Sequence, residues 1–185
     1  MERYSHLTET SMEKSQVYQG DLLDVRRDKV RLPNGMEATR EYVRHQGAAV
    51  IIPLLDNGRL LLERQFRYPL NQVLLEFPAG KIDPGEAVET TAKRELLEET
   101  GFVASEWRCV GQLHPCVGYS DERIVIFFAR GLFRQRGQDL DHGEFVDVLD
   151  MSLEEALAAV RAGDITDAKT IAALFWAEKI ICSDW

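Results

Sequence analysis

Residues 80–102 read GKIDPGEAVETTAKRELLEETGF, and the run Arg94-Glu95-Leu96-Leu97-Glu98-Glu99-Thr100-Gly101 within them decides how the rest of the chain is read. On a helix, side chains three and four positions apart are neighbours, with Cβ atoms roughly 5–6 Å apart. Glu95, Glu98 and Glu99 therefore crowd one face. Like charges at that spacing weaken a helix and resist ionisation unless a cation lies among them. An all-oxygen donor set selects hard divalent ions, Mg²⁺ or Mn²⁺, and Mg²⁺ is commonly shared between one or two carboxylates and substrate phosphates. An isolated Glu-Glu pair is usually a solvated face, but Gly80, Glu86 and Arg94 stand at fixed distances from these acids and reverse that reading. Arg94 and Glu98 are four apart and able to pair, which makes Arg94 an orienter of carboxylates rather than a substrate contact.

Working outward, Asp83-Pro84-Gly85 is a turn, and the spacing predicts a helix from about Ala87 to Thr100 that stops at Gly101 in a left-handed cap. Val88, Ala92 and Leu96 recur every four residues and form its core stripe. Upstream, Gly47 to Leu55 is an apolar run, and Asp56-Asn57-Gly58 turns it into Arg59 to Gln65 as a hairpin whose strands are apolar on both faces. Val73 to Phe77 is a further strand. Downstream strands are predicted at Trp107 to Leu113, Arg123 to Ala129 and Phe145 to Leu149. Ser152 with Glu155 forms a capping box that opens a helix through about Ala162. A last helix, Asp167 to Ile180, carries an inner stripe of Ile171, Leu174, Phe175 and Ala177, with Asp167 or Thr166 as its cap. Before all of these, Gln16 to His45 reads as short strands with an Asn34-Gly35 hairpin turn. The order predicts an α/β (α+β) architecture, a mixed sheet held between helices.

Composition narrows the functions. A chain of 185 residues with net charge −9 lacks the clustered cations that track a nucleic-acid backbone, so no nucleic-acid partner is expected. Such a charge also repels a phosphorylated substrate at long range, leaving attraction to local arginines and bound metal. Cys109, Cys116 and Cys182 form no CxxC pair and suggest neither a disulfide framework nor a zinc site. Residues 1–19 lack an apolar signal core and no stretch has the length of a membrane span, so a cytoplasmic protein without a membrane partner is the expectation.

Counted from Gly80, the pattern is Gly, five residues, Glu86, seven residues, Arg94-Glu95, an apolar residue, any residue, Glu98-Glu99, any residue, Gly101 and an apolar residue. Seven fixed residues at about 7% abundance with two apolar positions match by chance on the order of 10⁻⁹ times per starting residue. The pattern resembles the Nudix box at every defined position. The resemblance implies a Nudix αβα sandwich over 47–185, preceded by an N-terminal β-strand extension over 1–46 that is dimerising and swapped. It also implies metal-dependent attack by water on a pyrophosphate, with cations neutralising phosphate charge and activating the water. The implied metal-binding groups are the Ala79 carbonyl, Glu95, Glu99 and Glu98, with Glu86 as the upstream acid that reaches the metals in some members. Gly80 lets the backbone approach the ions, because a Cβ there would stand in the way of the Ala79 carbonyl.

Outside the box, Arg40-Glu41 with Val43 to Ala48, Arg64 to Tyr68, Leu75 to Gly80 and Pro115 to Arg123 resemble the ADP-ribose pyrophosphatase and nucleoside-diphosphate-sugar hydrolase branch. That resemblance implies a homodimer in which Arg40 and Glu41 contact the nucleobase side across the interface. Arg67 would hold the diphosphate, and Glu122 the distal sugar or metal. As ordinary features, Arg40-Glu41 is a strand pair, Arg67 a surface cation and Glu122-Arg123 an ion pair. His114-Pro115-Cys116-Val117-Gly118 departs from the branch, which often has Ser-Pro-Gly there. The branch's general base sits on the loop before the last strand, here residues 138–144, which makes Glu144 the first candidate, then Asp141 and His142. The implied substrate is ADP-ribose or a related nucleoside diphosphate sugar. The alternatives are a GDP-mannose-type hydrolase and a noncatalytic nucleotide-sensing module, and the intact box argues against the latter.

Overall fold

The computed structural model describes residues 4–182 and divides into two compact units. One is the chain up to His45 together with Cys116–Glu122; the other is Gln46–Pro115 with the chain from Arg123 onward.

The first unit is an antiparallel sheet of β1 (Thr10–Gln19), β2 (Asp24–Arg31) and β3 (Glu37–Arg44), in that order. β1 starts well before Gln16, where the turn signals place the first strand; all ten of its residues are exposed, so no burial alternation marks it. The β2–β3 turn forms as expected. Asn34 Oδ1 accepts from Met36 N–H at 3.1 Å, an Asx turn, and Leu32 N–H donates to Met36 O at 2.8 Å. Residues 116–122 join this unit through backbone bonds, Val43 N–H to Tyr119 O at 2.8 Å and Asp121 N–H to Val43 O at 3.3 Å.

The second unit is a seven-stranded mixed sheet of β4 (Ala48–Leu54), β5 (Leu60–Arg67), β6 (Gln72–Glu76), β7 (Ala79–Lys81), β8 (Phe102–Leu113), β9 (Ile124–Arg134) and β10 (Val146–Met151). The path runs β10-β5-β4-β9-β8, with β4 and β9 parallel. Helix α1 (Val88–Thr100) packs Ala92 and Leu96 on one face, against Ala49, Ile51, Leu61, Val125 and Phe127. Helices α2 (Leu153–Ala162) and α3 (Ala168–Cys182) cover the other with Ala156, Ala173, Leu174 and Ala177. β4 is a continuous apolar run because both of its faces are covered. This is the expected sandwich.

Local signals set the helix ends. Gly101 closes α1 at φ 77°, and a Cβ there would lie 2.4 Å from the Arg136 carbonyl oxygen, so geometry and space both require glycine. The capping box forms in full: Ser152 Oγ accepts from Glu155 N–H and Glu155 Oε2 accepts from Ser152 N–H. Asp167 Oδ2 accepts from Thr170 N–H at 2.9 Å and caps α3. The α3 stripe, however, is rotated from the expected one. Thr170, Ala173, Leu174 and Ala177 are buried, whereas Ile171 is 39% and Phe175 54% exposed. Phe175 instead stacks edge-on with Trp176 and lies under Lys179. Small residues let α3 sit close to the sheet, and the larger ones are displaced to its flank.

The second difference creates the site. The 56–58 turn closes as expected, but β4 and β5 share only the pair Leu54–Leu60 before they part. Residues 63–65 of β5 pair with β10 on one edge and with β6 on the other, while β7 pairs with β4 at Ala48–Val50. β6 and β7 thus continue the two arms of a fork, and Phe77-Pro78 bridges them, with Ile51 N–H bonded to Pro78 O.

Candidate active site

Helix α1 lies across the fork. The stripe Ala92, Leu96 continues three residues on to Glu99, so the helical period itself buries this carboxylate, which is 3% exposed. Its Oε2 accepts from Ala79 N–H at 3.0 Å, which brings the box helix and the start of β7 together. Glu95 lies over Gly80 so closely that a Cβ on Gly80 would fall 1.8 Å from Glu95 Oε1. Any larger residue at position 80 would push the Glu95 carboxylate from this position.

Arg94 is the hub of the remaining acids. Its Nη1 donates to Glu95 Oε1 at 2.9 Å and to Glu98 Oε2 at 3.0 Å, the expected four-residue pair. Its Nε and Nη2 hold Glu86 at 3.2 and 3.1 Å, and Nη2 reaches Lys81 O at 3.4 Å. Glu86 also accepts from Thr91 Oγ1 at 2.7 Å.

Proton affinities separate these acids into two groups. Arg94's hydrogen bonds outweigh desolvation and, with Thr91 and the Asp83 N–H, pull Glu86 down to about 2. Burial pushes Glu95 up to about 7; Arg94 opposes this, and Glu98 and Glu144 add to it. Burial also holds Glu99 well above the carboxylate range, followed by the charges of Glu63, Glu95 and Glu144. Glu86 therefore takes most of Arg94's charge, Glu95 keeps a single bond from it that does not offset burial, and Glu99 has only the Ala79 N–H.

These residues fit a divalent cation. The donors are all oxygen, the half-buried Glu95 and buried Glu99 both hold their protons more tightly than usual, and Gly80 leaves room beside them. Among the described residues no three acids stand together as a finished cage, and Arg94 engages Glu95 and Glu98.

The loop between β9 and β10 is anchored to this helix end. Gln138 Nε2 donates to the carbonyls of Glu99, at 2.6 Å, and Val146, at 3.1 Å, and Asp139 N–H donates to Glu98 O at 2.9 Å. Glu144 rides on this loop, close enough that its charge raises Glu63, Glu95 and Glu99.

The expected substrate residues have partners of their own. Arg67 is not a free surface cation: its Nε and Nη2 hold Glu76 at 2.8 and 2.7 Å. Burial raises Glu76, but Arg67 and Lys169 more than offset it, and the carboxyl ends below its ordinary range. Arg40 pairs with Glu9, and Glu41 with Arg27 at 2.7 Å. Glu122 lies 3.8 Å from His45 Nδ1, and its backbone N–H donates to Ser120 Oγ at 3.1 Å. Arg40, Glu41 and Glu122 belong to the first unit, Arg67 and the box to the second.

Sequence reasoning missed three residues: Glu63, Glu76 and Lys169. Lys169 bonds the fully buried Glu76 and lies 3.1 Å from Asp167. Glu63, 1% exposed, sits opposite Glu76 on β5. A signal was present, because a glutamate directly after Leu60-Leu61-Leu62, in a strand apolar on both faces, is a charge where no charge belongs.

Comparison with known proteins gives concordant results. Residues 44–174 match the NUDIX domain, and residues 13–43 match the nucleoside diphosphate sugar hydrolase N-terminal domain. An ADP-ribose pyrophosphatase of Bacillus subtilis is 38% identical over 169 residues, 91% of each chain. A methanol dehydrogenase activator of Bacillus methanolicus is 35% identical over 90% of each. Among solved structures, an ADP compounds hydrolase superposes with a TM-score of 0.85 at 26% identity, covering 95% of this chain and 96% of that one.

Proposed function

This chain belongs to the Nudix family, and from that premise we propose that it hydrolyses the pyrophosphate bond of ADP-ribose or a related nucleoside diphosphate sugar, giving a nucleoside monophosphate and a sugar phosphate. The observation that carries the reading is the pair Glu95 and Glu99: Glu99 is buried on the Ala79 N–H, Glu95 lies half-buried over Gly80, and both keep raised proton affinities although Arg94 reaches Glu95. Glu95, Glu99, Glu98 and the Ala79 carbonyl hold the cation, Mg²⁺ or Mn²⁺. When bound, the cation neutralises diphosphate charge and makes water a better nucleophile at neutral pH. Glu86 stays with Arg94 and fixes the start of the helix.

Water attacks one phosphorus, the bond from that phosphorus to the bridging oxygen breaks, and the other phosphate leaves. Glu144 accepts the proton that water loses, since its loop carries it to the edge of the acid cluster. Arg67, held flat by Glu76, offers its guanidinium to the diphosphate as a charged fork. Glu144→Gln is expected to lower kcat about 10²-fold with KM little changed. A fall below tenfold moves the proton-accepting role to Asp141 or His142.

Arg40 and Glu41 serve the nucleobase and Glu122 the distal sugar, in a cytoplasmic homodimer built through the N-terminal strands. A three-stranded sheet needs a hydrophobic face to be stable alone in water, and β1 leaves Met12, Val17 and Tyr18 exposed. The test is a panel of sugar nucleotides with Mg²⁺ or Mn²⁺, read by released phosphomonoester, on protein whose mass is set by sedimentation. ADP-ribose is expected to yield AMP and ribose 5-phosphate from a two-chain particle. A preference for GDP-mannose changes the base assignment, no turnover of any sugar nucleotide ends the hydrolase reading, and a one-chain particle ends the dimer.

A further inference from the structure

Glu63 has no part in the box, yet it is the acid whose charge weighs most on Glu99. Its placement follows from strand alternation. Leu61, two positions earlier on β5, packs with Ala92 and Leu96 of α1, so Glu63 is on the sheet face that α1 covers. Val148, opposite Glu63 on β10, packs on that face as well. The other direct neighbour across the ladder is Glu76, which Arg67 and Lys169 hold. Lys169 and Arg67 also act on Glu63 at longer range, whereas Glu76 and Glu144 oppose its charge.

The residue is 1% exposed, and its Oε2 is buried without a hydrogen-bond partner. A buried carboxylate oxygen left unpaired is costly, of the order of 1–3 kcal/mol or more for a charged group. An apolar side chain of similar size, such as the three leucines before it, would fill β5 without that cost. The strand therefore carries an acid at a position where packing favours a hydrocarbon, facing the helix that bears Glu99.

We propose that Glu63 Oε2 is a further ligand of the divalent-cation site, supplied by the sheet and facing Glu99 from across the fork. This rests on the cation-dependent reading above. The box supplies acids from one helix; Glu63 adds one from the strand beneath it, so that the ion is gripped between two elements. An ion bound this way ties α1 to β5, and its occupancy stabilises the layer contact as well as the substrate.

The test is titration of metal-free protein with Mn²⁺, with bound ion followed by electron paramagnetic resonance and heat, on wild type and on Glu63→Gln. Glutamine keeps the size and a neutral hydrogen-bonding end but removes the anionic donor. Mn²⁺ affinity is expected to fall at least fivefold, while metal-free Tm stays level or rises because a buried acid is gone. A fall of less than fivefold overturns the proposal, since a side chain that merely hydrogen-bonds its neighbours is replaced well by glutamine. Glu63→Leu, which repeats the chemistry of Leu60 to Leu62, guards against a misfolded glutamine variant and is expected to show the same loss. Wild type that takes up no Mn²⁺ overturns the cation reading itself, a result separable from equal binding by wild type and variants.

Discussion

Glu99→Gln is expected to lower kcat/KM by at least about 10³-fold while leaving the fold intact and the metal-free protein no less stable. A loss of that size corresponds to about 4 kcal/mol of transition-state stabilisation. The two halves of the prediction have one origin. Glu99 is buried, its proton affinity is raised by burial and by Glu63, Glu95 and Glu144, and its one favourable contact here is the Ala79 N–H. Glutamine can keep that bond through its carbonyl oxygen and sheds the repulsion, so stability is preserved. What it removes is the anionic donor on which the cation depends. Steady-state kinetics together with thermal denaturation without metal separate the two halves. An enzyme within tenfold of wild type contradicts the role of Glu99, and a Tm lower by many degrees would make it a folding residue.

In metal-free protein, stability is expected to fall as pH rises from about 4.5 to about 7, opposite to the trend set by a well-paired carboxylate. Glu95 has an ordinary value near 4.5 that the fold raises to about 7. A group raised in this way binds a proton in the folded state where the unfolded chain has already lost it. Its contribution is complete below 4.5 and is lost as pH climbs through the folded value. For Glu95 the loss is about 3 kcal/mol, on the order of 6–12 °C in Tm for a chain of this size. Glu63 and Glu99 are shifted in the same direction. Glu86, lowered to about 2, acts oppositely, but its contribution is lost only on acidification below its ordinary range. Saturating Mg²⁺ or Mn²⁺ is expected to flatten the profile, because a ligand of the folded state alone stabilises it by mass action. Calorimetry in chelator at pH 5 and pH 7.5, then with metal, gives the comparison; a metal-free Tm that rises across this interval contradicts the assignment.

The parts legible from sequence are those that local spacing dictates. The extent of α1, its stop at Gly101, the Ser152 capping box and the Arg94–Glu98 pair each depend on residues within one or two helical turns. Parts that depend on distant partners were not legible. Nothing near Arg67 shows that its guanidinium meets Glu76 across a strand pair, or that Lys169, 93 residues further on, holds the same carboxylate. The fork in the sheet is of this kind too: the turn at 56–58 reads correctly as a hairpin turn, and only the competing claims of β6 and β7 on β5 and β4 separate the strands. On α3 the periodicity admits two adjacent stripes, and close packing of Ala173 and Ala177 selects the one without Ile171 and Phe175.

The segment between β8 and β9 gives the amino-terminal unit a discontinuous covalent makeup. Excising that unit at residue 46 severs Val43 from Tyr119 and Asp121, and it strands seven residues on the remaining fragment with their backbone partners gone. No single scission separates the two units along the chain. Lengthening or shortening residues 116–122 would, by the same logic, be felt at the end of β3, a site some seventy positions earlier in the chain.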